Sequence, residues 1–333
     1  MIKRNLRSGL KALGVRFLKI KCPIKINFVC TYRCNNNCSY CNIGNIKRTE
    51  RELNTKQIKS MIGSFADLGA EQITFIGGEP LLRRDIGELI TYSKEKGLLT
   101  AVSTNCELVK KRNSALKDLD MLITCLNGPQ RIHDGMRGKG NYKKVLEIVR
   151  SKDIKSKKIV SCILTKKNLT SINFLLDLAL KHNFYINFQP VFKNELVKAG
   201  DANLIDELTR EEIKSTFNYL VKKKKQGSHI LNSYAYLKSF SKNGFVGFNR
   251  CYLGLASVTV DPYGNLYRCY KYVNENNKIN GLKLGWRKGF SKIKIDKCKI
   301  CNYGCHIEDN FLYSLKPSSI YNLLRMGETL EKK

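Results

Sequence analysis

Along most of this chain the period of apolar positions switches back and forth between two and about 3.6, the two repeats of half-buried strands and amphipathic helices. An apolar run, Lys25-Ile-Asn-Phe-Val-Cys30, reads as a strand. Beyond an Asn- and Cys-rich loop, a helical pattern over 54–68 sets Ile58, Met61, Ile62, Phe65 and Leu68 on one face. Asn54 with Gln57 forms a capping box at its start, and Gly69 stops it. The same logic predicts strands over 72–76, 98–103, 120–126, 157–164 and 184–189, and helices over 84–96, 107–117, 141–150 and 171–182. With the first strand, this makes six β/α units. Alternation of that kind implies an α/β chain, with a parallel sheet joined by right-handed crossovers and covered by helices. Reactive groups in such sheets gather beyond the C-terminal strand ends. One rim should therefore carry 34–41, 77–80, 103–105, Asn127, Gly128, 165–168 and Gln189.

The flanks read differently. Residues 1–24 predict a basic amphipathic helix with Leu6, Leu10, Leu13 and Phe17 on one face, suited to packing across the bottom of the main domain. After residue 190 comes a helical bridge in which Thr209 and Glu212 form a second capping box. Ile213, Phe217, Leu220 and Val221 form its buried face, and Lys222–Lys225 a solvated last turn where positive charge complements the helix dipole. Beyond about 249 short strands appear, with Asp-Pro-Tyr-Gly-Asn at 261–265 as a turn. The expected organisation is an N-terminal extension (1–24), a core (25–190), a bridge (191–248), a small cysteine-rich α+β extension (249–310) and a tail (311–333).

Composition narrows the function classes. No apolar run approaches the roughly 20 residues of a membrane span, and no signal peptide is evident, so a cytoplasmic protein is expected. A net charge of +32 suggests nucleic acid. The lysines are spread over nearly every helix and loop rather than gathered into one stripe, which argues against that partner and for a generally basic surface. Thirteen cysteines, mostly bunched in a long chain without an export signal, point to metal rather than disulfides.

Three of them, Cys34, Cys38 and Cys41, lie within eight residues. Thiolates that close suit zinc or an iron–sulfur cluster. Three ligands leave one coordination position open, the mark of a catalytic rather than a structural site. The same i, i+4, i+7 spacing fits a buried helix face, but Asn35, Asn36 and Asn37 between them favour a loop.

The CxxxCxxC spacing, Tyr40 before the last cysteine and the place after a first strand resemble the radical S-adenosylmethionine (SAM) superfamily. Gly77-Gly78-Glu79-Pro80 resembles the family segment that receives the amino group of SAM, and Ser103-Thr104-Asn105 a segment near the cofactor. Cys125-Leu-Asn127-Gly-Pro129, followed by His133-Asp134 and Arg137-Gly138, is similar to a family stretch with Ser and Asp where Cys125 and Asn127 stand. The resemblance implies a partial (β/α)6 TIM-type barrel holding a [4Fe–4S] cluster on Cys34, Cys38 and Cys41. It implies SAM contacts at Gly77, Gly78, Glu79, Ser103, Asn105 and Asn127, with Asn168 and Gln189 as candidates for the adenosine end. The chemistry would then belong to the cofactors: reductive SAM cleavage to a radical that takes hydrogen from substrate.

A second group, Cys251, Cys269, Cys298, Cys301 and Cys305, resembles the SPASM/twitch extensions that hold auxiliary clusters. Five cysteines suffice for one auxiliary [4Fe–4S] cluster, closed by either Cys301 or Cys305, and a zinc knuckle is the structural alternative. Cys22, Cys30, Cys106, Cys125 and Cys162 read as packing, and His306, Glu308 and Asp309 as a polar surface turn. The resemblance implies an electron donor such as flavodoxin or ferredoxin and a peptide or protein substrate. The same chemistry on a sugar or antibiotic precursor is the alternative, and a non-catalytic metal protein binding RNA is the reading of another class.

Overall fold

The computed structural model describes residues 2–46, 50–191, 207–273, 279–295 and 298–329. Helix α1 (Ile2–Phe17) precedes β1 (Lys25–Val29), α2 (Thr55–Asp67), β2 (Gln72–Ile76), α3 (Ile86–Glu95), β3 (Leu99–Ser103) and β4 (Met121–Cys125). Then come α4 (Gln130–Arg137), α5 (Asn141–Arg150), β5 (Lys157–Leu164), α6 (Ile172–Lys181) and β6 (Tyr185–Pro190). Strands β1 to β6 pair in sequence order and all in parallel, so their C-terminal ends share one edge. This is the α/β architecture that the alternating pattern predicts.

Side chains of a strand point to alternate faces. Ile26 and Phe28 of β1 accordingly pack outward in one core with Ile58, Met61, Ile62 and Phe65 of α2, all of them fully buried. Each such side chain contributes roughly 1.5–3 kcal/mol of burial. Asn54 and Gln57 cap α2 reciprocally, and Gly69 (φ +97°) takes the left-handed position just past its end.

Three expectations for this half need correction. Residues 107–117 do not form an α-helix, only a short 3₁₀ turn over Asn113–Leu116. The cause is local: Cys106 sits at φ +68°, and the Asn105 side chain accepts the Glu107 N–H, a turn that competes with helix entry. Helix α4 was not predicted because two of its three buried residues, His133 and Arg137, are polar. Helix α1 packs with its other face. Ala12 and Val15 are buried against Ile24, Tyr252 and Tyr313, whereas Leu10, Leu13 and Phe17 are exposed, and the Leu6 side chain lies outside the described residues.

The C-terminal half comprises α7 (Arg210–Lys225), α8 (Tyr234–Asn243), β7 (Val246–Gly247), β8 (Ser257–Val260), β9 (Asn265–Tyr267) and β10 (Ile279–Asn280). It ends with α9 (Gly281–Leu284), α10 (Trp286–Ser291), β11 (Ile300–Cys301), α11 (Gly304–Tyr313) and α12 (Pro317–Thr329). The second capping box forms at Thr209 and Glu212. Lys224, expected to be solvated, instead folds over to donate to the carbonyls of Ile230 and Asn232. Most consequentially, β8 pairs in parallel with β1, and antiparallel β9 and β10 continue outward from it. The cysteine-rich region thus extends the main sheet, in the order β10-β9-β8-β1-β2-β3-β4-β5-β6. No helix among the described residues is long and apolar enough to cross a membrane.

Candidate active site

The loop after β1 is seated by backbone contacts that only glycine allows. The Gly78 and Glu79 N–H groups donate to the carbonyls of Thr31 and Arg33, both at 2.8 Å. A Cβ on Gly77 would stand 2.5 Å from the Thr31 carbonyl oxygen, and one on Gly78 would stand 2.0 Å from that of Arg33. Gly77 also lies at φ +132°. The two glycines therefore let the end of β2 clasp the chain immediately before Cys34.

From there 34–41 runs as a loop, which rules out the buried-helix reading of its spacing. The asparagines account for the shape. Asn105 donates to Asn35 (2.8 Å) and lies 4.0 Å from Cys34 Sγ, Asn36 donates to the Arg137 carbonyl (3.3 Å), and Ser39 N–H donates to Met136 (2.9 Å). The three thiols lie within electrostatic reach of one another, and burial raises each thiol, Cys41 to about 11. Among the described residues no three His, Cys, Asp or Glu side chains converge closely enough for a single ion. The donor set fits a larger group: three soft sulfurs on a clasped loop at a sheet edge, as an iron–sulfur cluster requires.

Glu79, fully buried, accepts from the N–H of Leu81 (3.0 Å), the Thr104 hydroxyl (2.9 Å) and the N–H of Asn105 (2.8 Å). A carboxylate has about four acceptor sites, so one more donor can be received; burial raises its pKa. Ser103 ends β3, half-buried. Asn127 and Asn168 have protein partners at the sheet edge, and Asn127 Nδ2 also donates to the Tyr40 hydroxyl next to Cys41 (3.4 Å). Both are fully buried and tie adjacent strand ends together: Asn127 accepts from Ile163 N–H, while Asn168 donates to the carbonyls of Asn127 and Ile163 and accepts from Thr165. Gln189 accepts from Gly304 N–H (3.2 Å), which ties the end of β6 to the start of α11.

Arg137 was not singled out from the sequence as a site residue, though it ends the stretch His133-Asp134…Arg137-Gly138. Buried between the cysteine loop and β4, it donates to the Tyr40 hydroxyl at 2.7 Å, keeps its Nε without a partner, and has Cys38 and Cys125 as electrostatic neighbours. His133 positions α4. It accepts from the Asn127 N–H through Nδ1 (3.1 Å), which leaves Nε2 to donate to Asn141 (2.9 Å), and burial lowers its pKa to about 4. Cys22, Cys30, Cys106 and Cys162 are buried, as packing predicts. Cys125 is half-buried at the rim beside Cys38, a position the packing reading missed.

In the second group Cys251 and Cys269 pack together with Cys298 against them, and Cys301 has Cys269 and Cys251 as electrostatic neighbours. Cys305, exposed, instead lies with His306, Lys25 and Asp309; His306 and Lys25 hold its thiol below the usual range against the opposing Asp309 carboxylate. His306, Glu308 and Asp309 do not form a surface turn but lie in α11. Asp309 pairs with Lys25 at 3.0 Å, Glu308 accepts from Ser233 N–H and is raised by burial to about 7, and His306 accepts from Tyr270 N–H. Tyr270 is also an electrostatic neighbour of both Cys41 and Cys305.

Residues 28–179 match the sequence model of the Radical SAM superfamily. Mycofactocin maturase MftC of Mycolicibacterium smegmatis is 27% identical over 260 residues, which cover 74% of this chain and 64% of MftC. The chain therefore spans less than two-thirds of that relative's length. Streptococcus suis SuiB, solved bound to its precursor peptide SuiA, superposes with a TM-score of 0.65 at 15% identity over 84% of this chain and 67% of that one. The structure of anSMEcpe with bound AdoMet gives 0.66 at 16% identity over 90% and 98%. At these identities the two structures speak for the fold: a partial barrel with a cysteine-rich C-terminal region.

Proposed function

Because residues 28–179 belong to the radical SAM superfamily, we propose that the protein uses a [4Fe–4S] cluster and SAM to abstract hydrogen from a peptide. The observation that carries this reading is the clasp of Gly77 and Gly78 on Thr31 and Arg33, which presents Cys34, Cys38 and Cys41 at the C-terminal sheet edge. Cys34, Cys38 and Cys41 would hold the cluster. One-electron cleavage of SAM and hydrogen abstraction are the chemistry that these cofactors supply when bound.

The chain's own residues position and shield. Glu79, held by three donors, offers its remaining acceptor site to an ammonium. The buried Arg137 guanidinium, with Nε unpartnered, offers charge to a carboxylate. Ser103 and Asn105 line the rim between them. Asn127 and Asn168 act as positioning residues that brace the strand ends, and Gln189 fixes the start of α11. Cys251, Cys269, Cys298 and Cys301 would hold one auxiliary cluster in a SPASM/twitch-like extension over 249–310, and Cys305 stays outside that set.

The names of MftC, a maturase, and of SuiB bound to its precursor peptide support a peptide substrate. A reduced flavodoxin or ferredoxin in the cytoplasm would supply electrons. The test is anaerobic reconstitution followed by reductant and SAM. Release of 5′-deoxyadenosine and methionine, abolished by Cys34→Ala, Cys38→Ala and Cys41→Ala, is the expected result. Turnover that survives those substitutions would refute the assignment.

A further inference from the structure

A groove of about 570 Å³ lies between α1, α8, β7 and α11, away from the sheet edge that carries the first cysteines. Five of its lining side chains are cations, Arg16, Lys238, Lys242, Arg250 and Lys316, and none is a carboxylate. A second cavity provides the contrast. There Arg33 and Arg83 are paired with Glu52 and Asp85, so carboxylates in its own wall offset most of its charge. Among the described residues none of the five groove cations has an ion-pair partner, and the Nε of Arg16 is buried without a hydrogen bond. Like charges gathered without counter-charges repel, so an anionic occupant would be stabilised there.

The chemistry favours carboxylates over nucleic acid. Single-stranded nucleic acid needs exposed ring faces on which bases stack. Here Phe311 and Tyr252 are buried, Phe248 stands edge-on to Phe311 at 5.5 Å, and Arg250 covers Tyr252 at 5.3 Å. The groove is also tied to the second cysteine group, because Gly247 in its wall pairs with Ile300, next to Cys301. Helix α11 joins the two regions. Phe311 lines the groove, while Gly304, seven residues earlier, touches Gln189 at the barrel edge.

We propose that this groove seats an acidic segment of the peptide that the enzyme modifies, held apart from the site of reaction. The proposal rests on the peptide reading above and names a recognition element for it. The test uses the reconstituted full chain and a fluorescently labelled oligoglutamate, read by anisotropy. The charge-reversed variant Lys238→Glu/Lys242→Glu alters two exposed lysines outside both cysteine groups. It should bind roughly tenfold more weakly or worse, since two attractions become two repulsions. Lys143→Glu/Lys152→Glu makes the same change in net charge at exposed positions outside the groove, and should bind as the unsubstituted protein does. Equal weakening in both variants would mean that overall basicity alone captures the probe, and would overturn the proposal. So would an RNA oligonucleotide that binds more tightly than oligoglutamate and responds to the groove reversal. SAM cleavage by the groove variant should match the unsubstituted protein. If neither cleaves SAM, the catalytic reading fails while the binding comparison still decides the groove.

Discussion

The clasp at Gly78 makes a quantitative prediction. Gly78→Ala introduces a Cβ 2.0 Å from the Arg33 carbonyl oxygen and 2.5 Å from its carbon. The first distance falls about 1.5 Å short of an ordinary contact of about 3.5 Å. Backbone faces backbone here, so no side chain can swing away, and the end of β2 must part from the chain before Cys34. Parting breaks the bonds from Gly78 to Thr31 and from Glu79 to Arg33. At about 1 kcal/mol net for each bond, with a further cost of about 1–3 kcal/mol for a buried group left unpaired, the loss is about 3–5 kcal/mol. Gly135→Ala is the counterpart. Its Cβ meets nothing within 4 Å, it lies inside α4, and the change should stabilise by about 0.5–1 kcal/mol. Urea midpoints report stability, and iron per chain after anaerobic reconstitution reports the cysteine loop. Gly78→Ala should lower both, and Gly135→Ala neither. A Gly78→Ala protein with an unchanged midpoint and full iron would show that the clasp does not seat the loop.

Further predictions concern groups around that loop. His133 is held neutral, with its pKa lowered to about 4 from an ordinary 6.5. The unfolded chain therefore takes the proton first as pH falls, and stability present above pH 6.5 should drop by about 3 kcal/mol on approach to pH 4. In His133→Gln that part of the slope should vanish in urea titrations, and an unchanged slope would assign it to other groups. Arg137→Met should weaken SAM binding by tenfold or more in calorimetry while iron content holds, because a buried cation is removed and no cysteine is touched. Equal affinity would remove Arg137 from the site. Cys301→Ala should cost the iron of one cluster and Cys305→Ala none, because Cys251 and Cys269 are electrostatic neighbours of Cys301, whereas His306, Lys25 and Asp309 stand around Cys305. The opposite pattern would reverse the assignment.

Features encoded within a few residues could be read directly from the sequence. The capping boxes at Asn54 and Thr209 and the turn held by Asp261 are short-range hydrogen-bond patterns, and all three form. The parallel sheet followed from period alone. What escaped depends on distant partners. Helix α4 hides its structural role in polar residues whose partners, Asn141 and Tyr40, lie elsewhere in the sequence. Asn127 and Asn168 carry the chemistry of ligands, and Asn168 spends its amide on the backbone carbonyls of Asn127 and Ile163 across neighbouring strands. Residue type gives capacity, and only the fold decides where that capacity is spent.

The pairing of β8 with β1 has the widest consequence. Lys25 lies opposite Ser257 and Phe28 opposite Val260, so the hairpin that ends at Cys269 keeps a fixed register with the strand that leads to Cys34. Tyr32 meets Tyr263 edge-on at 5.7 Å, which joins the cysteine loop to the hairpin turn itself. A separate C-terminal domain on a linker could sway against the core, with relative motion as the default. Here such motion would require breaking the main sheet. The strand that leads to Cys34 and the hairpin that leads to Cys269 therefore share one sheet, whereas Cys301 is held by the separate pairing of β11 with β7. Hydrogen abstraction works only at short range and in fixed orientation. Under the proposed function, the shared sheet would hold Cys269 in fixed orientation to Cys34.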